Sequence, residues 1–230
     1  MRKRVLSVIG FTLILSNVSF SQEFSKPNFA LKSHETLEIK RVVLNDKSTI
    51  IHLIVENKRS EGGSFCADKK IYILYPDGSR LNILKANNIP VCPDAYKFKN
   101  VGEKLSFSLE FPPLKQGTKW IDIIEDCSQN CFWFYGVTLD NELNARLDDT
   151  FIKAGNGKPA ENMLLFKNIL DEIDSQNPGI EGLLYINLIN AAVEDADIVN
   201  ASVWYKRLAA SHAPRKEQYI KYLNEKGIRY

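Results

Sequence analysis

The chain has 230 residues, 44% of them hydrophobic and 25% charged, values ordinary for a globular protein. Its 30 Lys and Arg stand against 28 Asp and Glu, and three of the basic residues (Arg2, Lys3 and Arg4) sit at the extreme N-terminus. The remainder is nearly neutral and offers no reason to expect the basic face that nucleic-acid binding usually needs, so no nucleic-acid partner is expected.

Arg2, Lys3 and Arg4 precede an apolar run from Val5 to Val18, followed by Ser19 and Ser21. A positive segment, a short apolar segment and small residues at −3 and −1 define a secretory signal peptide, expected to span 1–21 with its cut after Ser21. The run is short for a bilayer span, and no cysteine follows it for lipid attachment. The expectation is therefore export to the periplasm, the cell surface or the medium, with no transmembrane anchor after cleavage.

From Glu35 to Leu139 short apolar and polar runs alternate. TLEIKRVVL, STIIHLIVEN, KKIYILYPDG, RLNILKA, EKLSFSLEF, KWIDIIED and CFWFYGVTL each have strand length, and they are rich in β-branched and aromatic residues. YPDG supplies a turn, since Pro fixes φ and Gly accepts φ > 0. Leu105, Phe107, Leu109 and Phe111 share one face of a half-buried strand. STIIHLIVEN, apolar on both faces, suits a central strand. About seven strands in roughly a hundred residues predict a small immunoglobulin-like β-sandwich over 25–139.

After Leu139 the period becomes helical. Leu143, Leu147 and Phe151 recur at four-residue spacing; Met163, Phe166, Leu170 and Ile173 follow, then Leu184, Leu188 and Ala192, then Val199, Val203 and Lys206 beside Leu208. Gly155 and Gly157 break the first helix, Pro159 opens the second at its first position, and Asn177–Gly179 forms a turn. Asp197 is placed to cap a fourth helix, and Pro214 and Gly227 to bound a short last one. The fold class predicted is thus α+β, a β-sandwich followed by an antiparallel helical domain over 140–230.

Leu147, Phe151, Gly155, Ala160 and Leu164, and again Leu188, Ala192, Ala196, Ala201 and Tyr205, resemble the paired-helix spacing of tetratricopeptide repeats. Tyr185 stands near the usual aromatic start. The two units are offset by 41 residues where the family has 34, and three repeats normally build a continuous core; a plain bundle of helical hairpins is the competing reading. The stretches SEGGSFCADKKIYI, IPVCPDAYKF and FPPLKQGTKWIDIIEDCSQNCFWFYG resemble the immunoglobulin-like domain of exported bacterial proteins of unknown role. That resemblance implies fold and compartment and carries no catalytic residue.

Four cysteines, Cys66, Cys92, Cys127 and Cys131, allow three disulfide pairings in an oxidising compartment. Spacing favours Cys66–Cys92 and Cys127–Cys131, which loop entropy values at roughly 3.5 and about 2 kcal/mol. A structural zinc site on Cys127-x3-Cys131 is the rival, although the other two cysteines are far apart and Cys-x-x-Cys is absent. His34, His52 and His212 fall at no metal-ligand spacing. GGSFC is no nucleophile elbow, GNGKP no phosphate loop, and Glu194–Asp197 lacks the ligand series of a calcium site. No convergent nucleophile or acid–base set emerges, so the expected role is non-enzymatic, with no cofactor and no metal. A carboxylate pair acting as a hydrolase remains a third reading, open to a pocket with two facing acids.

Aromatic residues concentrate binding energy, and Tyr185, Trp204, Tyr205 and Tyr219 are the expected lining of a helical groove for a peptide or protein partner. The alternative is a carbohydrate-binding module on the β half, using Trp120, Trp133 and Tyr135 as stacking platforms.

Overall fold

The computed structural model describes residues 21–173 and 178–230. The predicted signal segment, apart from Ser21, and Asn177 of the predicted turn lie outside the described residues.

Two five-stranded antiparallel sheets build the β region. The first runs in the order β1 (Ser21–Ser25), β3 (Leu37–Asn45), β4 (Thr49–Glu56), β10 (Lys104–Phe111), β8 (Lys85–Asn87). The second runs β2 (Leu31–Lys32), β12 (Trp133–Thr138), β11 (Trp120–Glu125), β6 (Ile71–Leu74), β7 (Arg80–Asn82). β5 (Ser64–Phe65) and β9 (Tyr96–Lys97) form a separate two-stranded ribbon. The sheets share one core: Ile51, Leu53, Phe107 and Leu109 from the first pack in the same cluster as Ile71, Ile73, Ile121 and Phe134 from the second. Leu105, Phe107, Leu109 and Phe111 are all buried, as the period of two requires, and β4 is the middle strand of its sheet.

Two boundaries differ from expectation. RLNILKA is two strands: the Ile83 N–H donates to the Ile71 carbonyl and the Leu84 N–H to the Glu110 carbonyl, so the chain crosses between sheets at that point. The β region also begins before residue 25, because β1 pairs with β3 from Ser21 opposite Asn45 to Ser25 opposite Arg41 and buries Phe24.

Five helices follow: α1 (Asn141–Ala154), α2 (Pro159–Glu172), α3 (Glu181–Glu194), α4 (Ile198–Ala210) and α5 (Lys216–Glu225), with a 3-10 turn at Pro178–Ile180. Local chemistry sets their ends. Pro159 occupies the first position of α2. The Asp140 side chain accepts the Glu142 and Leu143 N–H groups, and Asp197 accepts that of Asn200, each satisfying donors left free at a helix start. The last helix starts two residues after Pro214, behind Arg215 in the left-handed region at φ 62°. α3 is the central helix, with Gly182, Leu184, Ile186, Leu188, Ile189, Ala191 and Ala192 all buried.

Of the repeat-like positions, four of five are buried in the second unit, Ala196 being exposed, and only Leu147 in the first. Leu188, Ala192, Ala201 and Tyr205 are buried where α3 meets α4, whereas Ala160 is exposed and Leu164 is 60% exposed. The physical reason is the face that α2 presents: Asn162, Phe166 and Ile169 point inward, and positions 160 and 164 fall outside that stripe. In α4 the inward stripe is likewise Ala201, Trp204, Tyr205 and Leu208, and Val199 and Val203 point to solvent. Ala201→Leu is therefore expected to cost on the order of 1–3 kcal/mol by overpacking, with Ala160→Leu changing stability by less than about 0.5 kcal/mol. Urea midpoints of the two variants measure this; equal midpoints would show that Ala201 is not at a close helix contact.

The two halves are packed on one another. Ala30 and Leu31 join the helical hydrophobic cluster. The Asn28 N–H donates to Asn144 Oδ1 at 2.8 Å, and Asn144 Nδ2 donates to the Thr138 carbonyl at 2.9 Å. Gly179 lies against Trp120, where a Cβ would sit 2.6 Å from the indole, and a Cβ at Gly136, at φ 65°, would sit 2.2 Å from the Gly179 carbonyl oxygen. Backbone approach of that kind admits only glycine.

Candidate functional site

Four side chains of the helical half were singled out by residue type, and the structure separates them. Tyr185 and Trp204 come together, with ring centroids 6.4 Å apart. They line a cleft of ≈ 290 Å³ between the C-terminal end of α2 and the facing turns of α3 and α4. Tyr205 and Tyr219 do not line it. Tyr219 is 1% exposed and its ring fills the space that Gly182 leaves open, a Cβ at Gly182 falling 2.0 Å from it. Burial pushes its phenol well above the ordinary range. Tyr205 is buried, donates its hydroxyl to Asn224 Oδ1 at 3.0 Å and lies edge-on to Tyr230. Both are core residues: each stands on the inward stripe of its helix, where an aromatic side chain contributes area to packing.

The cleft adds residues that aromatic enrichment does not point to. Asp171, Glu181 and Arg207 stand on its rim, and Leu170, Ile173 and Pro178 supply apolar wall. Trp204 forms the floor, with the Arg207 guanidinium 4.7 Å above its ring. Asp171 is paired with Lys167 on its own helix. Glu181, in the first turn of α3, is half-buried, and desolvation raises its carboxyl above the usual range while His212 pulls it back down. Among the described residues the Glu181 carboxylate and the Tyr185 hydroxyl have no hydrogen bond, and Glu181 has no ion pair. A polar group held partly out of water without a partner is costly unless something meets it. Sequence could have flagged Glu181 and Tyr185 as neighbours at i, i+4 on one helix face; nothing local joins them to Arg207.

A larger cleft of ≈ 570 Å³ lies at the end of the β region. Both disulfides, Cys66–Cys92 and Cys127–Cys131, stand in its wall, and no free cysteine remains among the described residues. Two of its polar side chains, Glu125 and Asn57, are already engaged. Glu125 accepts the Asp68 N–H at 2.7 Å through one oxygen and the Phe132 N–H at 2.9 Å through the other, and burial raises its carboxyl. Asn57 is used at both ends, donating to the Arg59 and Asn100 carbonyls and accepting from the Arg59 N–H. These bonds hold the loops, and the smaller helical cleft is the better candidate for ligand contact.

Of the aromatics proposed as sugar platforms, Trp120 and Tyr135 touch the helical half. Trp120 is 5% exposed beneath Gly179. Trp133 and Tyr135 stack on each other at 4.2 Å, and the Arg215 guanidinium covers Tyr135 at 4.5 Å. Trp133 and Tyr135 are both half-buried. Among the described residues no helix is long and apolar enough to cross a membrane, and no group of three or more His, Cys, Asp or Glu stands together to hold a metal ion. No protein-family model matches the chain, and no curated protein is significantly similar to it.

Proposed function

We propose that this is an exported, non-catalytic binding protein in which an immunoglobulin-like β-sandwich carries a tetratricopeptide-like helical unit, and the helical unit takes a peptide or a segment of a protein partner. The observation that carries the reading is the cleft itself. Tyr185 and Trp204 form an aromatic lining, while a carboxylate and a hydroxyl without a partner among the described residues stand on its rim, the combination of apolar wall and few polar groups that ligand sites use. The two disulfides support an oxidising compartment, the periplasm, cell surface or medium.

Panning random peptides displayed on phage against the protein tests the reading. Enriched peptides are expected to lose at least tenfold in affinity against Tyr185→Ala, the range of a contact residue at a binding hot spot, with the helical circular dichroism unchanged. Peptides that bind Tyr185→Ala as tightly as the parent would move the site elsewhere.

A further inference from the structure

We infer that the anchor recognised in the Tyr185–Trp204 cleft is a cationic side chain, a lysine or arginine of the bound peptide, seated against Glu181 and the Tyr185 ring. This rests on the reading of the cleft as a peptide site and names the chemistry it selects. Glu181 is the group that decides it. Its carboxylate lies on the cleft, is half-buried, and has neither a hydrogen bond nor an ion pair among the described residues. Desolvation raises its carboxyl, and its place in the first turn of α3, where the helix carries partial positive charge, works with His212 against that rise.

The charged groups around it narrow the ligand. Asp171 adds a second carboxylate on the same rim, with its own partner in Lys167. His212 is exposed and approaches without reaching ion-pair distance. Among the described residues Arg207 is the one basic side chain lining the cleft, and its guanidinium lies over Trp204 with no ion pair to Glu181. A peptide side chain entering beside Tyr185 therefore meets a carboxylate and a phenol. An apolar side chain would complete the desolvation of Glu181 without pairing it. An acidic one would meet two carboxylates. A cation gains both the charge-assisted hydrogen bond to Glu181 and the face of the Tyr185 ring, the Trp204 ring being already covered by Arg207.

The test uses capped alanine pentapeptides, acetylated and amidated to remove terminal charge, with arginine, lysine, citrulline or glutamate at the centre. Each is titrated into isotopically labelled full-length protein and followed by NMR. Saturable shifts at Tyr185, Glu181 and Trp204 are expected for the arginine and lysine peptides, with citrulline, the neutral isostere of arginine, at least tenfold weaker. Glu181→Gln should shrink that ratio to threefold or less while leaving the rest of the spectrum in place. Equal titration by arginine and citrulline at these residues would overturn the cationic anchor and leave the peptide cleft standing. Tightest binding by the glutamate peptide would overturn it in favour of an anion at Arg207. If no peptide shifts these residues, the cationic anchor and the peptide reading fall together.

Discussion

Arg215→Met is expected to destabilise the folded protein by about 3 kcal/mol, the lower end of the roughly 3–5 kcal/mol measured when one partner of a buried ion pair is removed. Asp122 projects from β11 into the seam, where its side chain is 4% exposed. One of its oxygens accepts the Gly136 N–H at 2.8 Å; the other accepts Arg215 Nε at 3.2 Å and Nη2 at 2.9 Å. The Arg215 side chain keeps 27% of its surface exposed, which places the cost at the lower end. Methionine retains most of the stem and removes the charge, leaving a buried carboxylate with a single donor. Adding Asp122→Asn, which keeps an oxygen for Gly136, should recover half of the loss or more.

The same pair gives a pH signature. Burial raises the Asp122 carboxyl above its ordinary value, and Gly136 and Arg215 pull it back. The native state therefore holds this proton more tightly than the unfolded chain, and stability from this group falls as pH rises through the carboxylate range. Without Arg215 the carboxyl rises further. The deficit of Arg215→Met should thus be largest at neutral pH and shrink as acid protonates Asp122. Urea unfolding at several pH values measures it; a deficit independent of pH would mean that the carboxylate is not the source of the loss.

That pair also marks where sequence stopped being informative. Asp122 reads as one acid in an apolar strand and Arg215 as one base after a proline, 93 residues apart in the chain, and no local period joins them. What repetition encodes was legible: the alternation of β10, the central place of β4, Pro159 at a helix start and Asp197 as a cap. Short strands such as β2, β5 and β9 carry too few residues to show a period. RLNILKA is uniform in composition, yet its two ends pair with different sheets, a choice made by the partners β6 and β10 rather than by the segment. The site divides the same way. Tyr185 and Trp204 meet, while Tyr205 and Tyr219, chosen by the same enrichment, are spent on the core. Residue type says what a side chain can do, and only the packing of three helices decides which of the four reaches a cleft.

Breaking the two disulfides should have unequal consequences. Cys66 and Cys92 close a loop across a separation of 26 residues, and Cys127 and Cys131 one of 4. Constraint of the unfolded chain grows with loop length, so the paired serine replacement of the first should cost roughly 3.5 kcal/mol and that of the second about 2 kcal/mol. Native contacts push the same way. Between the first two cysteines, the Ala67 N–H donates to the Pro90 carbonyl and the Cys92 N–H to the Ala67 carbonyl, and Ala67 is fully buried. Loosening that tether exposes a core position. The second bridge ties the connection between β11 and β12, whose ends are already held by Glu125 accepting the Phe132 N–H and by the Glu125 N–H donating to the Phe132 carbonyl. Urea midpoints of Cys66→Ser/Cys92→Ser and Cys127→Ser/Cys131→Ser, each against the parent, provide the measurement. A larger loss for the second pair would show that the short bridge supports native packing at the cleft wall, and that loop entropy is not what ranks the two. In the expected order, reduction of the first bridge alone removes a large part of the stability of a domain this size, so the protein produced in a reducing compartment should unfold at markedly lower urea than the oxidised form.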